Sequence, residues 1–126
     1  MCGKCRESDL FMKIKTCELK GKALDFAVAL IEGATYSRDF DEPVIEWTEK
    51  FDTPLRFYSP STNWAQGGQI IEREQIALWP NGTQPWDASV QSGKFVESGQ
   101  TPLEAAMRCH VSSKLGPEVN IPGELL

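Results

Sequence analysis

The segment Asn63-Trp64-Ala65-Gln66-Gly67-Gly68 carries the groups best suited to recognising another molecule. Two adjacent glycines allow close backbone approach and open N–H groups to a ligand. Trp64 offers a stacking face, and Gln66 has both a donor and an acceptor. Polar groups beside a loop aromatic are common ingredients of a binding site. Glu72 and Arg73 follow closely and could extend it. The competing reading is a tight turn with Trp64 pinned into the core. Neither Gly-x-x-x-x-Gly-Lys-Ser/Thr nor Gly-x-Gly-x-x-Gly occurs, so a nucleotide fingerprint is missing.

Other candidates have structural readings that weigh more. His110 is the one histidine, so any imidazole-based nucleophile scheme must use it. It stands three residues from Met107 and four from Ala106, on the apolar stripe of a helix, where a core role is expected. Glu72 and Glu74 are two apart and, on a strand, would share a face that a solvated surface explains. Asp39, Asp41 and Glu42 lack the spacing of a calcium loop. Cys2-x-x-Cys5 has zinc-ligand spacing, and Cys17, Cys109 and His110 could complete a set, but no second close pair exists. No catalytic residues, metal site or cofactor are expected.

The elements that must position these groups are partly legible. Met12-Lys13-Ile14-Lys15 reads as a short strand, and Thr16 as a helix cap. A helix is predicted from about Leu19 to Glu32, with an apolar face of Leu19, Ala23, Phe26, Ala27, Leu30 and Ile31. Gly21 weakens its first turn, and Gly33 can end it in the left-handed conformation. Residues 34–63 read as loop-rich, with Val44-Ile45-Glu46-Trp47 a short strand or a helical turn. Gln69 to Trp79 is predicted as a strand broken near Glu74. Asn81-Gly82 signals a hairpin back to Trp86-Asp87-Ala88-Ser89-Val90, with Lys94-Phe95-Val96 another strand. Thr101-Pro102-Leu103-Glu104 is a capping box with proline at the first helical position. That helix runs to about Leu115, with Leu103, Ala106, Met107, His110, Val111 and Leu115 on one face. Gly116-Pro117 stops it, and Glu118 to Pro122 reads as a final strand. The order implies α+β: a small antiparallel sheet with two helices packed on one face.

The chain has 126 residues, 40% hydrophobic and 25% charged, which fits one domain. A chain of this size buries roughly two-thirds of its unfolded surface, enough to fold without a staple. The net charge of -5, with no basic cluster beyond Lys13, Lys15, Lys20 and Lys22, argues against nucleic acid as a partner. No apolar run approaches the ~20 residues of a membrane span, and no signal-peptide pattern opens the chain. The reading is therefore cytoplasmic, with reduced cysteines. Residues 1–11 show no periodicity and are expected to be a poorly ordered tail before a domain at 12–126. Met12 is a second possible start.

Three segments together resemble the NinX family of temperate-phage accessory proteins. The first is Met12-Lys13-Ile14-Lys15-Thr16 with Ala23-Leu24-Asp25-Phe26-Ala27-Val28-Ala29. The second, most specific, is Pro60-Ser61-Thr62-Asn63-Trp64-Ala65-Gln66-Gly67-Gly68 with Ile70-Ile71-Glu72-Arg73-Glu74. The third is Thr101-Pro102-Leu103-Glu104-Ala105-Ala106-Met107-Arg108-Cys109 with Ser113-Lys114-Leu115-Gly116. The resemblance spans about residues 12–125 and implies the host cytoplasm during phage growth. It implies no reaction and carries over no catalytic residue. The expectation is a non-enzymatic accessory module that binds a host or phage protein. The alternative is a small-ligand or enzymatic domain with its site around Trp64 to Gly68.

Overall fold

In a computed structural model, residues 11–39, 42–47, 53–83, 85–90 and 93–126 are described. Cys2, Cys5, Asp41 and residues 1–10 of the expected tail lie outside them, as do the side chains of Asp39 and Glu42. Phe11, assigned to the tail by pattern, instead opens strand β1 (Phe11–Lys15), opposite Pro122 of β8 (Glu118–Pro122).

The core forms around helix α3 (Pro102–Leu115). Its start is built locally. Thr101 Oγ1 accepts from Glu104 N at 3.1 Å, and Glu104 Oε1 accepts from Gln100 N at 2.7 Å, one residue earlier than a capping box requires. Leu103, Ala105, Ala106, Met107, Cys109, His110 and Val111 are all buried, which spans most of the helix circumference. A helix buried around most of its circumference is a central one. Leu115, expected on the apolar face, is exposed because it lies at the open end beside Gly116.

Helix α1 (Gly21–Ile31) packs on α3 and buries every residue from Ala23 to Ala29. It ends where predicted, with Gly33 at φ 108° and Ala34 N donating to Ala29 O at 3.0 Å. Its entry differs from the prediction. Thr16 does not cap it; Lys20 holds that position. The buried Thr16 hydroxyl donates to Gly116 O at 2.6 Å, tying β1 to the end of α3.

Three small antiparallel sheets complete the α+β fold: the pair β1-β8 and two sheets of three sequential strands each. Strand β2 is Thr35–Asp39, β3 Glu42–Glu46 and β4 Thr53–Pro54. Two of these strands thus fall in the stretch read as loop, and Val44-Ile45-Glu46 is extended. The third sheet comprises β5 (Ala77–Pro80), β6 (Trp86–Val90) and β7 (Lys94–Gly99). The Asn81-Gly82 hairpin is present with a longer loop. Asn81 accepts from Thr83 N at 3.1 Å and donates to Asp87 Oδ2 at 2.7 Å.

The main departure from the pattern is helix α2 (Trp64–Glu74), in place of the loop and most of the strand predicted there. Asn63 Oδ1 accepts from Ala65 N at 2.8 Å and Gln66 N at 3.3 Å, which nucleates the first turn. Gly67, Ile70, Ile71 and Glu74 then recur at helical spacing. The adjacent isoleucines suited either period, so strand and helix were indistinguishable from apolarity alone. Glu72 and Glu74 consequently lie about 200° apart around the axis, not on one face.

Gly67 and Gly68 are separable by substitution. A Cβ on Gly67 would collide with the Pro60 carbonyl and stand 2.7 Å from Leu103 Cδ2, whereas one on Gly68 meets only Trp64 Cε3 at 3.8 Å. Gly67→Ala should lose about 1–3 kcal/mol by overpacking, and Gly68→Ala should gain roughly 0.5–1 kcal/mol from helix propensity. Urea unfolding of the two variants checks both signs.

Candidate functional site

Two residues one turn apart on α1 organise the approach to α2. Lys22 Nζ donates to Leu55 O at 3.0 Å, Tyr58 O at 3.1 Å and Ser59 Oγ at 2.8 Å. It also stands 3.5 Å from Asp25 Oδ2. Asp25 is only 2% exposed and accepts from Ser61 N at 2.9 Å. Burial raises the Asp25 carboxyl above its ordinary range, while Ser61 and Lys22 oppose that rise. A charge this deep persists only when partnered, and the Lys22 ammonium is its partner.

Gln66 fastens the same segment from the other side. Its Oε1 accepts from Ser59 N at 2.6 Å, and its Nε2 donates to Phe57 O at 3.2 Å. Asn63 N donates to Ser59 O at 2.7 Å. Tyr58 packs edge-on against Trp47 with ring centroids 5.6 Å apart. Residues 55–63 are thus held at both ends and along their length. Two exposed aromatic rings stand in this stretch and just beyond it. Phe57 is 61% exposed and Trp64 56% exposed. The Arg56 guanidinium lies 4.7 Å from the centre of the Phe57 ring.

The structure places Asn63, Trp64, Gln66, Gly67 and Gly68 together on the first turns of α2. Glu72 and Arg73 sit about 12 Å beyond Trp64 along the axis. The reasons given for that segment need correction. Gly67 N donates to Asn63 O at 2.8 Å, so its amide belongs to the helix and offers a ligand nothing. Gly67 serves close packing on Pro60 instead. Trp64 is not pinned into the core either, since its indole faces outward.

Arg73 belongs to a second cluster at the far end of α2. Its Nη1 and Nη2 grip both oxygens of Glu32, just beyond α1, at 2.8 and 2.7 Å. Its Nε donates to Glu74 at 2.9 Å, and Lys114 of α3 lies 3.3 Å from Glu74. These carboxylates hold the guanidinium firmly charged. His110 Nε2 lies 3.2 Å from Glu32 Oε2. Burial lowers the pKa of the imidazole against the pull of Glu32. Burial acts to raise the Glu32 carboxyl, but Arg73 and His110 together bring it below its ordinary range. The Tyr58 hydroxyl is raised by burial, then by Glu32 and Asp25, so it stays protonated between the two clusters.

These arrangements hold position rather than move protons. Ser59 Oγ accepts from an ammonium whose three protons are all engaged, the reverse of an activated nucleophile. His110 is 0% exposed and closed to any substrate. Among the described residues, no three His, Cys, Asp or Glu side chains gather to hold a metal, and no helix is long and apolar enough to cross a membrane. A cleft of ≈ 300 Å³ lined by Cys17, Val96, Glu97, Ser98 and Arg108 shares no residue with the Trp64 segment. The Lys22–Asp25 clamp escaped the sequence reading. Its one signal was an aspartate inside an otherwise apolar helical run.

The fold and the clamp define a small α+β domain with two exposed aromatic side chains, Phe57 and Trp64, around the start of its second helix. Residues 15–114 match the family described as Bacteriophage P22, NinX, and the chain belongs to that family. No curated protein matches it.

Replacing Lys22 by Met should destabilise the fold by about 2 kcal/mol or more, because it strands Asp25 and three oxygen acceptors. The lost cation lets burial raise the Asp25 carboxyl further. A raised carboxyl loses stability as pH climbs from 3.8 through its folded value, so the deficit should be larger at pH 7 than at pH 4. Urea titrations of both proteins at the two pH values measure it.

Proposed function

We propose that this phage-family protein is a non-enzymatic accessory module acting in the cytoplasm of the infected host. It binds a host or phage protein through the surface formed by Phe57 and Trp64. The observation that carries this reading is that two large aromatic side chains stay more than half exposed on a segment held rigid by Lys22, Asp25 and Gln66. Leaving such rings in water forgoes burial that folding could have used. Aromatics of this kind supply much of the energy of protein interfaces, and a preorganised segment loses little entropy on docking.

In this reading Trp64 is the contact, flanked by Phe57. Asn63, Gln66 and Gly67 fix the start of the helix that carries it, and Gly68 lies beside the ring. The exposed Glu72 lies further along the same helix, and Arg73 anchors that far end. A ring more than half open to solvent suits a macromolecule better than an enclosed small ligand. The net charge of -5 favours a protein over nucleic acid.

A tagged pull-down from infected cells tests this with Trp64→Ala and Phe57→Ala. Each ring is mostly in solvent, so each variant should stay within about 0.5–1 kcal/mol of the parent in stability. Both should lose the captured protein. Capture unchanged by either substitution, or no specific protein retained by the parent, overturns the reading.

A further inference from the structure

We propose that the junction of Glu32, Arg73 and His110 is an acid-released latch on helix α2. The latch would regulate the surface presented by Trp64, and in that respect it rests on the function proposed above.

The chain has one histidine, and its imidazole is fully buried. Nε2 is placed to donate to Glu32 Oε2 at 3.2 Å, while Nδ1 is buried with no hydrogen-bond partner. The neutral ring fits this site, since its one N–H has an acceptor. A second proton would create a buried N–H on Nδ1 with nothing to receive it. Glu32 offsets that cost only in part, because Arg73 already occupies both its oxygens. The charged groups that act on the ring are Glu32 from the end of α1 and Arg73 and Glu74 from α2, while Lys114 of α3 pairs with Glu74. Glu32 and Glu74 favour a positive ring and Arg73 opposes it, but burial is the largest influence and disfavours the charge.

Protonation therefore favours a form in which the ring reaches water. Helix α2 is the element placed to yield. It buries only Gly67 and Ile70, whereas α1 and α3 each bury seven residues. Its far end is tied down by Arg73 on Glu32 and Glu74 on Lys114. Local opening follows such thinly packed elements.

The folded imidazole titrates below its ordinary 6.5, so the stability of the latched form is complete above pH 6.5 and declines as pH falls through that value. Glu32 and Glu74 titrate below their ordinary 4.5 and keep their charge through this range. Burial raises Asp25 and Glu97 toward this interval, but a raised carboxyl gains stability as pH falls, so a loss of protection between pH 6.5 and 5.5 carries the sign of His110.

Hydrogen exchange of the full chain, read by mass spectrometry at pH 7.5 and 5.5 and corrected for intrinsic rates, tests the latch. Protection across residues 64–74 should fall selectively at pH 5.5. The fall is at most about tenfold per pH unit, the limit set by one linked proton. Segments 21–31 and 102–115 should keep theirs, and His110→Gln should flatten the dependence. Should that variant not fold, the NMR titration of the single imidazole in the parent replaces it, with a midpoint below 6.5 coinciding with the exchange change. Equal protection of 64–74 at both pH values overturns the latch, as does loss spread evenly over all three helices. No partner is present in this experiment, so its failure leaves the Trp64 surface standing, and failure of capture leaves the latch standing.

Discussion

The Lys22 ammonium stands where four oxygens converge: the carbonyls of Leu55 and Tyr58, the Ser59 hydroxyl and the Asp25 carboxylate. Such a point charge suits the task because its three donors can be aimed independently at carbonyls of an irregular segment. The same charge makes a carboxylate tolerable at the Asp25 position, deep in α1. Asp25 in turn receives the Ser61 amide, so both ends of the 55–61 stretch are referred to one helix. Where α1 lies decides where this segment lies, and the segment decides where α2 starts.

Helix α2 is held by different means at its two ends. At its start, Asn63 caps the first amides, Gln66 clasps the preceding chain, and Gly67 lets the helix sit against Pro60. These contacts are short and leave little slack. At its far end the attachment is ionic, through the fork of Arg73 on Glu32 and the pairing of Glu74 with Lys114. Exposed ion pairs contribute little on their own, but a bidentate guanidinium joined to a network is better placed to matter. Apolar burial between these ends is slight. The helix that presents the indole is therefore precisely oriented at its start yet thinly anchored beyond it.

Helix α3 supplies the common floor. It is buried on most sides, and Arg108 and Cys109 reach backbone carbonyls of neighbouring elements. Arg108 donates to Leu19 O at 2.7 Å and to Ser98 O at 2.8 Å, and Cys109 donates to Phe95 O at 2.9 Å. The buried Cys109 thiol is pushed up to about 12, chiefly by burial, so it serves as a packing group and not as a nucleophile. The His110 imidazole occupies the same floor.

The sequence by itself determined features whose partners lie within a few residues. The Thr101 cap, the stops at Gly33 and Gly116, the Asn81 hairpin and the α+β class were all legible because the atoms concerned are local. So was the core position of His110, from its place on an apolar stripe. The family resemblance was legible in three short segments. Tertiary structure alone decided the rest. Thr16 was expected to cap a helix, but its hydroxyl finds an acceptor 100 residues away. The Gln69 to Glu74 stretch suited a strand as well as a helix until Pro60 and α3 fixed which face is covered. The exposure of Trp64 depends on Lys22 and Asp25, whose partners stand 33 to 37 residues downstream. Neither periodicity nor spacing can register bonds of that reach, because they form only once separate elements are brought side by side.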